Sequence, residues 1–407
     1  MTLGIVGGGQ LGRMLALAGL PLGLRFRVLD PDPGAPAGAV GELIVGAYDD
    51  PAALDRFAQG LEAVTYEFEN VPVAAAHRLA ARVPVFPPAT ALEVAQDRLA
   101  EKTFFRELGV PAPAFVTIGD RADLDRALAQ LGCPAVLKTR RLGYDGKGQA
   151  VLQDPADADP AWARLGGVPS LLEAFVPFDR ELSVLAVRGR DGAVAVYPLV
   201  ENRHRAGILR LSLAPAPGAS IALQAEAEGH ARRALEALDY VGLLAIEWFE
   251  VGGRLLANEM APRVHNSGHW TIEGAETSQF ENHIRAGLGL PLGGTGPRGV
   301  AAMLNLIGTT PAPADLLAVP GAHLHLYDKA PRPGRKLGHV TLRADDPGSL
   351  ATRLARLTAL VDGIACATPP SPRSGLSGPL RRAAVAPGSG ARGREARPSR
   401  GDHLRSR

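Results

Sequence analysis

Lys138-Thr139-Arg140-Arg141-Leu142-Gly143-Tyr144-Asp145-Gly146-Lys147-Gly148-Gln149 is the stretch around which the rest of the chain is organised. It follows a short apolar run, Ala135-Val136-Leu137, that reads as a buried strand, and precedes Ala150-Val151, where the chain turns back as another. Glycines at 143, 146 and 148 strip the loop of side-chain bulk. Backbone N–H groups in such a loop can lie against phosphate oxygens while flanking lysines supply positive charge. The same residues also describe a glycine-rich hairpin turn with solvated lysines, and at this point both readings stand.

A chain of 407 residues with 46% hydrophobic side chains has room for two or three domains with sizeable cores. Its two cysteines, Cys133 and Cys366, are too few for a disulfide framework or a thiolate metal site. A reducing cytoplasm is the compartment this implies. Met1 to Val6 has no basic leader and reads as a first strand rather than a signal peptide. No uninterrupted apolar run reaches membrane-spanning length. The formal charge of +2 conceals an asymmetry: from Pro369 onward there are nine Arg and two acids, and without them 35 basic and 40 acidic side chains leave a net of −5. The mildly acidic body gives no support for nucleic-acid binding.

At the amino end, strand Leu3–Val6 leads into Gly7-Gly8-Gly9-Gln10-Leu11-Gly12, a helical run to Gly19, and a second strand, Phe26–Leu29, ending at Asp30. That order has the spacing of a dinucleotide fingerprint and predicts a Rossmann-like βαβ unit, though a glycine turn serves any phosphate or polar ligand. Leu43–Val45 and Ala63–Thr65 read as further parallel strands. Glu67 and Glu69 follow the second at its carboxyl end, where open α/β sheets bind ligands. Either acid alone is equally an ordinary solvated loop carboxylate.

Phe86-Pro87-Pro88 marks a boundary, after which Ala89–Leu108 reads as one or two amphipathic helices with Arg98 and Lys102 four apart on one face. Beyond the central loop, apolar strand Leu171–Val176 carries an embedded Glu173, Glu181 heads the apolar segment Leu182–Val187, and His204 lies in the polar stretch Glu201–Arg205. Leu243–Glu250 and Leu255–Met260, joined by Gly252-Gly253, predict a hairpin that carries Glu247 on one strand and Glu259 on the other. Two such carboxylates repel unless a cation sits between them. Hard oxygen donors without His or Cys suit Mg2+, which takes one or two carboxylates plus substrate phosphates. Ala261–Trp270 is dense in hydrogen-bonding groups and has no hydrophobic periodicity, so it reads as a substrate-contact loop. Residues from Val300 onward read as short strands of a small last domain. Its cations at Lys329, Arg332, Arg335 and Lys336 are either an exposed turn or an anion clamp. After Thr368 the chain is rich in Pro, Gly, Ser and Arg and is expected to be disordered.

Four of these stretches, Gly7–Met14, Gly143–Gln149, Asn258–Trp270, and His325–Lys329 with Arg332–Lys336, resemble the ATP-grasp superfamily, and within it the N5-carboxyaminoimidazole ribonucleotide synthetase family. The resemblance runs through residues 1–366 and departs at the Arg-rich tail. It implies an α/β and α+β fold. Residues 1–95 would form a Rossmann-like pre-ATP-grasp domain, and residues 96–298 an ATP-grasp domain of two α+β lobes with a lid subdomain at about 110–176. A small β-rich domain would occupy 299–368, followed by the tail at 369–407. The implied activity is ATP-dependent carboxylation of 5-aminoimidazole ribonucleotide with bicarbonate, using Mg2+, by a cytoplasmic homodimer with no nucleic-acid or membrane partner.

By the same resemblance, Arg98 and Lys138 contact ATP, and Gly143, Tyr144, Asp145, Gly146, Lys147, Gly148 and Gln149 cover its phosphates. Glu173, Ala174, Phe175 and Val176 form the adenine–ribose edge, and Glu181 takes the ribose hydroxyls with His204 nearby. Glu247 and Glu259 hold Mg2+ with help from Asn258. Tyr144 and Asp145 approach the acceptor, and Arg263, His265 and Asn266 hold bicarbonate. Lys329, Arg335 and Lys336 bind the ribonucleotide phosphate, while Gln10, Leu11 and Glu67 complete its site. Asp145, Arg263 and Lys329 are the implied catalytic residues. Two rivals remain: another ATP-grasp ligase, of the formate-dependent glycinamide ribonucleotide transformylase or biotin carboxylase kind, and an NAD-dependent dehydrogenase. The dehydrogenase leaves Glu247, Glu259 and the central loop unexplained.

Overall fold

Alternation and glycine placement divide the chain into three sheets, described by a computed structural model over residues 1–143 and 146–367. Tyr144, Asp145 and the tail from Thr368 therefore lie outside the described residues. The first sheet is parallel, with β1 (Thr2–Val6), β2 (Arg25–Asp30), β3 (Glu42–Val45) and β4 (Ala63–Tyr66) in the order β3-β2-β1-β4. β1 and β4 are buried almost throughout because helices cover both faces of the sheet. Gly12 lets the first helix, Gln10–Gly19, approach the loop before it. A Cβ there would sit 2.7 Å from the Gly7 carbonyl oxygen.

The second sheet is antiparallel: β5 (Phe115–Ile118), β6 (Ala135–Thr139), β7 (Gln149–Leu152) and β8 (Ser170–Ala174), ordered β5-β8-β6-β7. The helix Arg121–Leu131, started by a reciprocal capping box between Asp120 and Asp123, packs Leu124, Ala127 and Leu128 on one face. The opening loop is thus the β6–β7 connection, with Lys138 opposite Gln149. Gly148 has φ +71°, and a Cβ there would lie 2.6 Å from Thr139 Oγ1, so only glycine fits this return.

The third sheet, also antiparallel, comprises β9 (Arg180–Arg188), β10 (Val194–Val196), β11 (Val200–Arg205), β12 (Ile208–Ala214), β13 (Gly242–Val251), β14 (Arg254–Ala261), β15 (Val300–Ile307), β16 (Ala322–Leu326) and β17 (Lys336–Ala344). Its order is β14-β13-β9-β11-β12-β15-β17-β16, with β10 on β9. The segment after residue 299 does not form a sheet of its own, because β15 pairs with β12 and extends the same sheet. Polar Glu201–Arg205 is an interior strand, tolerated because its buried groups bond one another: Asn202 Nδ2 donates to Ser183 Oγ at 2.9 Å and Ser212 Oγ donates to Asn202 Oδ1 at 2.8 Å. Helix Ile221–Ala237, capped by Ser220, lays Ala227, Ala231, Ala234 and Leu235 against Leu244, Ile246 and Trp248 of β13. A further core joins Leu11, Met14 and Leu15 of the first helix to Phe280 and Ile284 of the helix Gln279–Leu288, fixing the first sheet to the third. Among the described residues no helix is long and apolar enough to cross a membrane.

Candidate active site

One cavity of about 620 Å³ opens where the three sheets converge, and most of the residues singled out from sequence line it. At one end, Lys138 Nζ donates to Glu173 Oε2 at 2.9 Å and to Asn258 Oδ1 at 3.4 Å. Lys102, fully buried, places its ammonium 3.6 Å from the same Glu173 oxygen. Burial alone would raise the Glu173 carboxyl, but the Lys138 and Lys102 charges outweigh it and hold it at about 2. The wall continues along the end of β8 and beyond it through Ala174, Phe175 and Val176 to Glu181. His204 Nδ1 is in close contact with Glu181 Oε2, and despite burial that carboxylate holds the imidazole above its usual range. Gly143, Gly146, Lys147 and Gln149 bring the loop over this end.

Asp97 anchors the loop's root. Its carboxylate accepts from Arg140 Nε at 2.9 Å and caps the helix Arg98–Glu107 through Leu99 N–H at 3.0 Å. That helix starts at Arg98, whose guanidinium meets Glu259 at 3.0 Å.

Glu247 and Glu259 are direct register partners on β13 and β14, with a bulge just after Glu247. Burial, and then the Glu259 charge, push the Glu247 carboxyl up to about 7. Glu259 moves the other way, because Arg98 and Lys138 outweigh its burial. Two facing, part-exposed carboxylates, one of which penalises the other's ionisation, suit a divalent cation. Among the described residues no group of three or more His, Cys, Asp or Glu could hold a metal, so such a cation needs further oxygens from a ligand.

At the other end, Arg263 Nε donates to Glu69 Oε2 at 2.5 Å, and although burial opposes it, the guanidinium holds the Glu69 carboxyl at about 2. His265 Nε2 lies 3.4 Å from Glu247 Oε1 and its Nδ1 shares a 2.9 Å hydrogen bond with Ser267 Oγ. Burial, reinforced by the Arg263 charge, lowers this imidazole to about 3, so it is neutral. Asn266 and Asn305 exchange amide hydrogen bonds of 3.1 and 2.7 Å. Leu11 and Lys336 line the cavity too, and Lys329 donates to Gln10 at its edge. Gly148 and Arg335 do not line it; Arg335 NH1 donates to the Ala330 carbonyl at 3.3 Å. The assignments to Tyr144 and Asp145 fall outside the described residues.

Glu67 lines the cavity as expected, yet its carboxylate accepts from Gly9 N–H at 2.5 Å and Gly12 N–H at 2.7 Å. It thus occupies the start of the first helix, where a dinucleotide pyrophosphate would sit, which removes the main support for a dehydrogenase. Sequence reasoning missed Glu101 and Lys102 as site groups. Both lie three or four residues after Arg98, on its helix face, and that spacing was the available signal. Glu101, raised to about 8 by burial and then by the Glu259 charge, accepts from Met260 N–H at 2.6 Å.

A glycine loop over a lysine–carboxylate cleft between two antiparallel sheets, beside a parallel sheet, defines an ATP-grasp enzyme. Known proteins agree with that class. Residues 103–280 match the ATP-grasp domain model, residues 1–96 the ribonucleotide synthetase preATP-grasp domain, and residues 301–353 the phosphoribosylaminoimidazole carboxylase C-terminal domain. The N5-carboxyaminoimidazole ribonucleotide synthase of Pseudomonas aeruginosa is 55% identical over 362 residues, which cover 89% of this chain and 100% of that one. The crystal structure of the Thermus thermophilus synthetase is 66% identical and superposes with a TM-score of 0.85, covering 88% of this chain and 98% of that one. The Aspergillus clavatus synthase, crystallised with ADP and 5-aminoimidazole ribonucleotide, is 33% identical with a TM-score of 0.83, covering 89% and 98%. The chain belongs to the N5-carboxyaminoimidazole ribonucleotide synthase family.

Proposed function

We propose that the chain joins bicarbonate to the exocyclic amine of 5-aminoimidazole ribonucleotide, cleaving ATP to ADP and phosphate, in purine biosynthesis. The observation that carries this reading is one continuous cavity, with a lysine–carboxylate nucleotide end and an Arg263–Lys336 anion end on either side of the facing pair Glu247 and Glu259. Phosphoryl transfer needs positioning and charge neutralisation rather than a protein nucleophile. Lys138 and Arg98 hold the ATP phosphates, and the glycine loop closes over them, with Gly146, Lys147 and Gly148 serving the nucleotide. The edge from Glu173 to Val176 reads adenine, while Glu181 with His204 takes the ribose hydroxyls. Glu247, Glu259 and Asn258 would hold Mg2+, which would neutralise phosphate oxygens there.

Arg263, neutral His265 and Asn266 orient bicarbonate for attack on the γ-phosphoryl group and then hold the resulting carboxyphosphate. Closure of the loop excludes water that would hydrolyse it. Lys329, Arg335 and Lys336 receive the ribonucleotide phosphate, and Gln10, Leu11 and Glu67 border the acceptor. Residues 1–95, 96–298 and 299–368 act as pre-ATP-grasp, ATP-grasp and C-terminal domains of a cytoplasmic homodimer. Incubation with 13C-bicarbonate, MgATP and 5-aminoimidazole ribonucleotide tests the chemistry: a carbamate carbon bonded to the exocyclic nitrogen supports it, and label found only in bicarbonate overturns it.

A further inference from the structure

Beneath the carboxyl end of β16, and apart from the nucleotide site, three imidazoles and a phenol are packed together. His325 and His339 are register partners on β16 and β17, and their rings stack at 4.5 Å with 7° between planes. The His269 ring lies 4.7 Å from His339. His339 Nδ1 shares a 2.7 Å hydrogen bond with the Tyr327 hydroxyl, and His325 Nε2 lies 2.8 Å from Glu273 Oε1 on the short helix Thr271–Gly274. Burial holds His339 far below its ordinary pKa, so its ring is a fixed neutral partner. His339 does not line the cavity, whereas Tyr327 and His269 do.

The chain leaves this cluster directly into the cationic turn. Asp328 has φ +56°, a left-handed conformation that a non-glycine residue holds only when its flanks are anchored. On one flank Tyr327 N–H donates to the Leu337 carbonyl at 2.9 Å and the phenol is tied to His339. On the other, Lys329 reaches Gln10 across from the first sheet. Without the tie between phenol and imidazole, the Tyr327 flank keeps only its backbone anchor, next to the turn that presents the Lys329 ammonium to Gln10.

We infer that His339 is a positioning residue for the acceptor substrate: through Tyr327 it fixes the Asp328–Lys329 turn, and so sets the affinity for the phosphate of the ribonucleotide and not for ATP. This rests on the function proposed above. The test measures KM for 5-aminoimidazole ribonucleotide and for ATP in wild type, Tyr327→Phe, His339→Leu, His339→Asn and the Phe/Leu double variant. Tyr327→Phe and His339→Leu should each raise the ribonucleotide KM about five- to ten-fold, the scale of one buried hydrogen bond. The ATP KM should stay within about two-fold, as for an interaction confined to one substrate. The double variant should be no worse than either single, and His339→Asn, which keeps an acceptor near the Nδ1 position, should recover most of the loss. Additive single effects, or equal rises in both KM values, overturn the inference. Should His339→Leu fail to fold, an unchanged ribonucleotide KM in Tyr327→Phe overturns it alone. A wild type that turns over without the ribonucleotide refutes the proposed function instead, which keeps the two failures distinct.

Discussion

Replacing Arg263 with methionine removes the partner of Glu69 while keeping much of the side-chain volume. The guanidinium pulls that carboxyl from its ordinary 4.5 to about 2, which corresponds to roughly 3.4 kcal/mol at 1.36 kcal/mol per pKa unit. The two side chains retain 15% and 25% of their exposure, so solvent screening reduces the contribution to about 2–3 kcal/mol. Because the folded pKa lies below the unfolded one, this stability is fully present above about pH 4.5 and fades as pH falls toward 2. Thermal unfolding midpoints at a fixed scan rate, taken from neutral pH down to about pH 3, should show a gap between wild type and Arg263→Met that narrows on acidification. A gap of constant size would mean that lost packing, not the ion pair, is responsible. No gap at neutral pH would mean that the pair contributes nothing. The same variant should lose bicarbonate-dependent phosphate release. Arg263→Lys should restore little of it, since an ammonium lacks the guanidinium fork.

Glu259→Gln should lower turnover by about a thousand-fold or more while leaving the circular dichroism spectrum unchanged, since it halves the carboxylate pair suited to Mg2+; near-normal turnover would sink the metal assignment. Lys102→Met leaves Glu173 with Lys138 alone and should cost on the order of 1–3 kcal/mol of stability, seen as a lower unfolding midpoint, with a raised KM for ATP. An unaltered midpoint would show that Lys138 suffices. Truncation after Thr368 should leave kcat near wild type, because the Pro-, Gly-, Ser- and Arg-rich tail lies beyond the stretches that match known relatives; a large loss would give the tail a role in the site.

The features legible in sequence were local ones. The apolar run before the loop, the glycines within it and the acids embedded in β8, β13 and β14 announce themselves by breaking a pattern, and a two-glycine turn brings Glu247 opposite Glu259 with little freedom. What was not legible depends on distant partners. Glu67 and Glu69 are neighbours in sequence, yet one is tied to the glycine loop and the other to Arg263, 194 residues away. Lys102 reads only as a cation four residues from Arg98 on an amphipathic helix, and the fold seals it beside Glu173. The continuation of the third sheet into β15 likewise depends on a long-range pairing with β12 that no local pattern specifies.

Phosphate release from MgATP, followed with bicarbonate and 5-aminoimidazole ribonucleotide each omitted in turn, tests the proposed carboxylation most directly. Full-rate release should require both and fall to a small residual rate without either. Release indifferent to the ribonucleotide would contradict that reaction, even in an intact ATP-grasp enzyme.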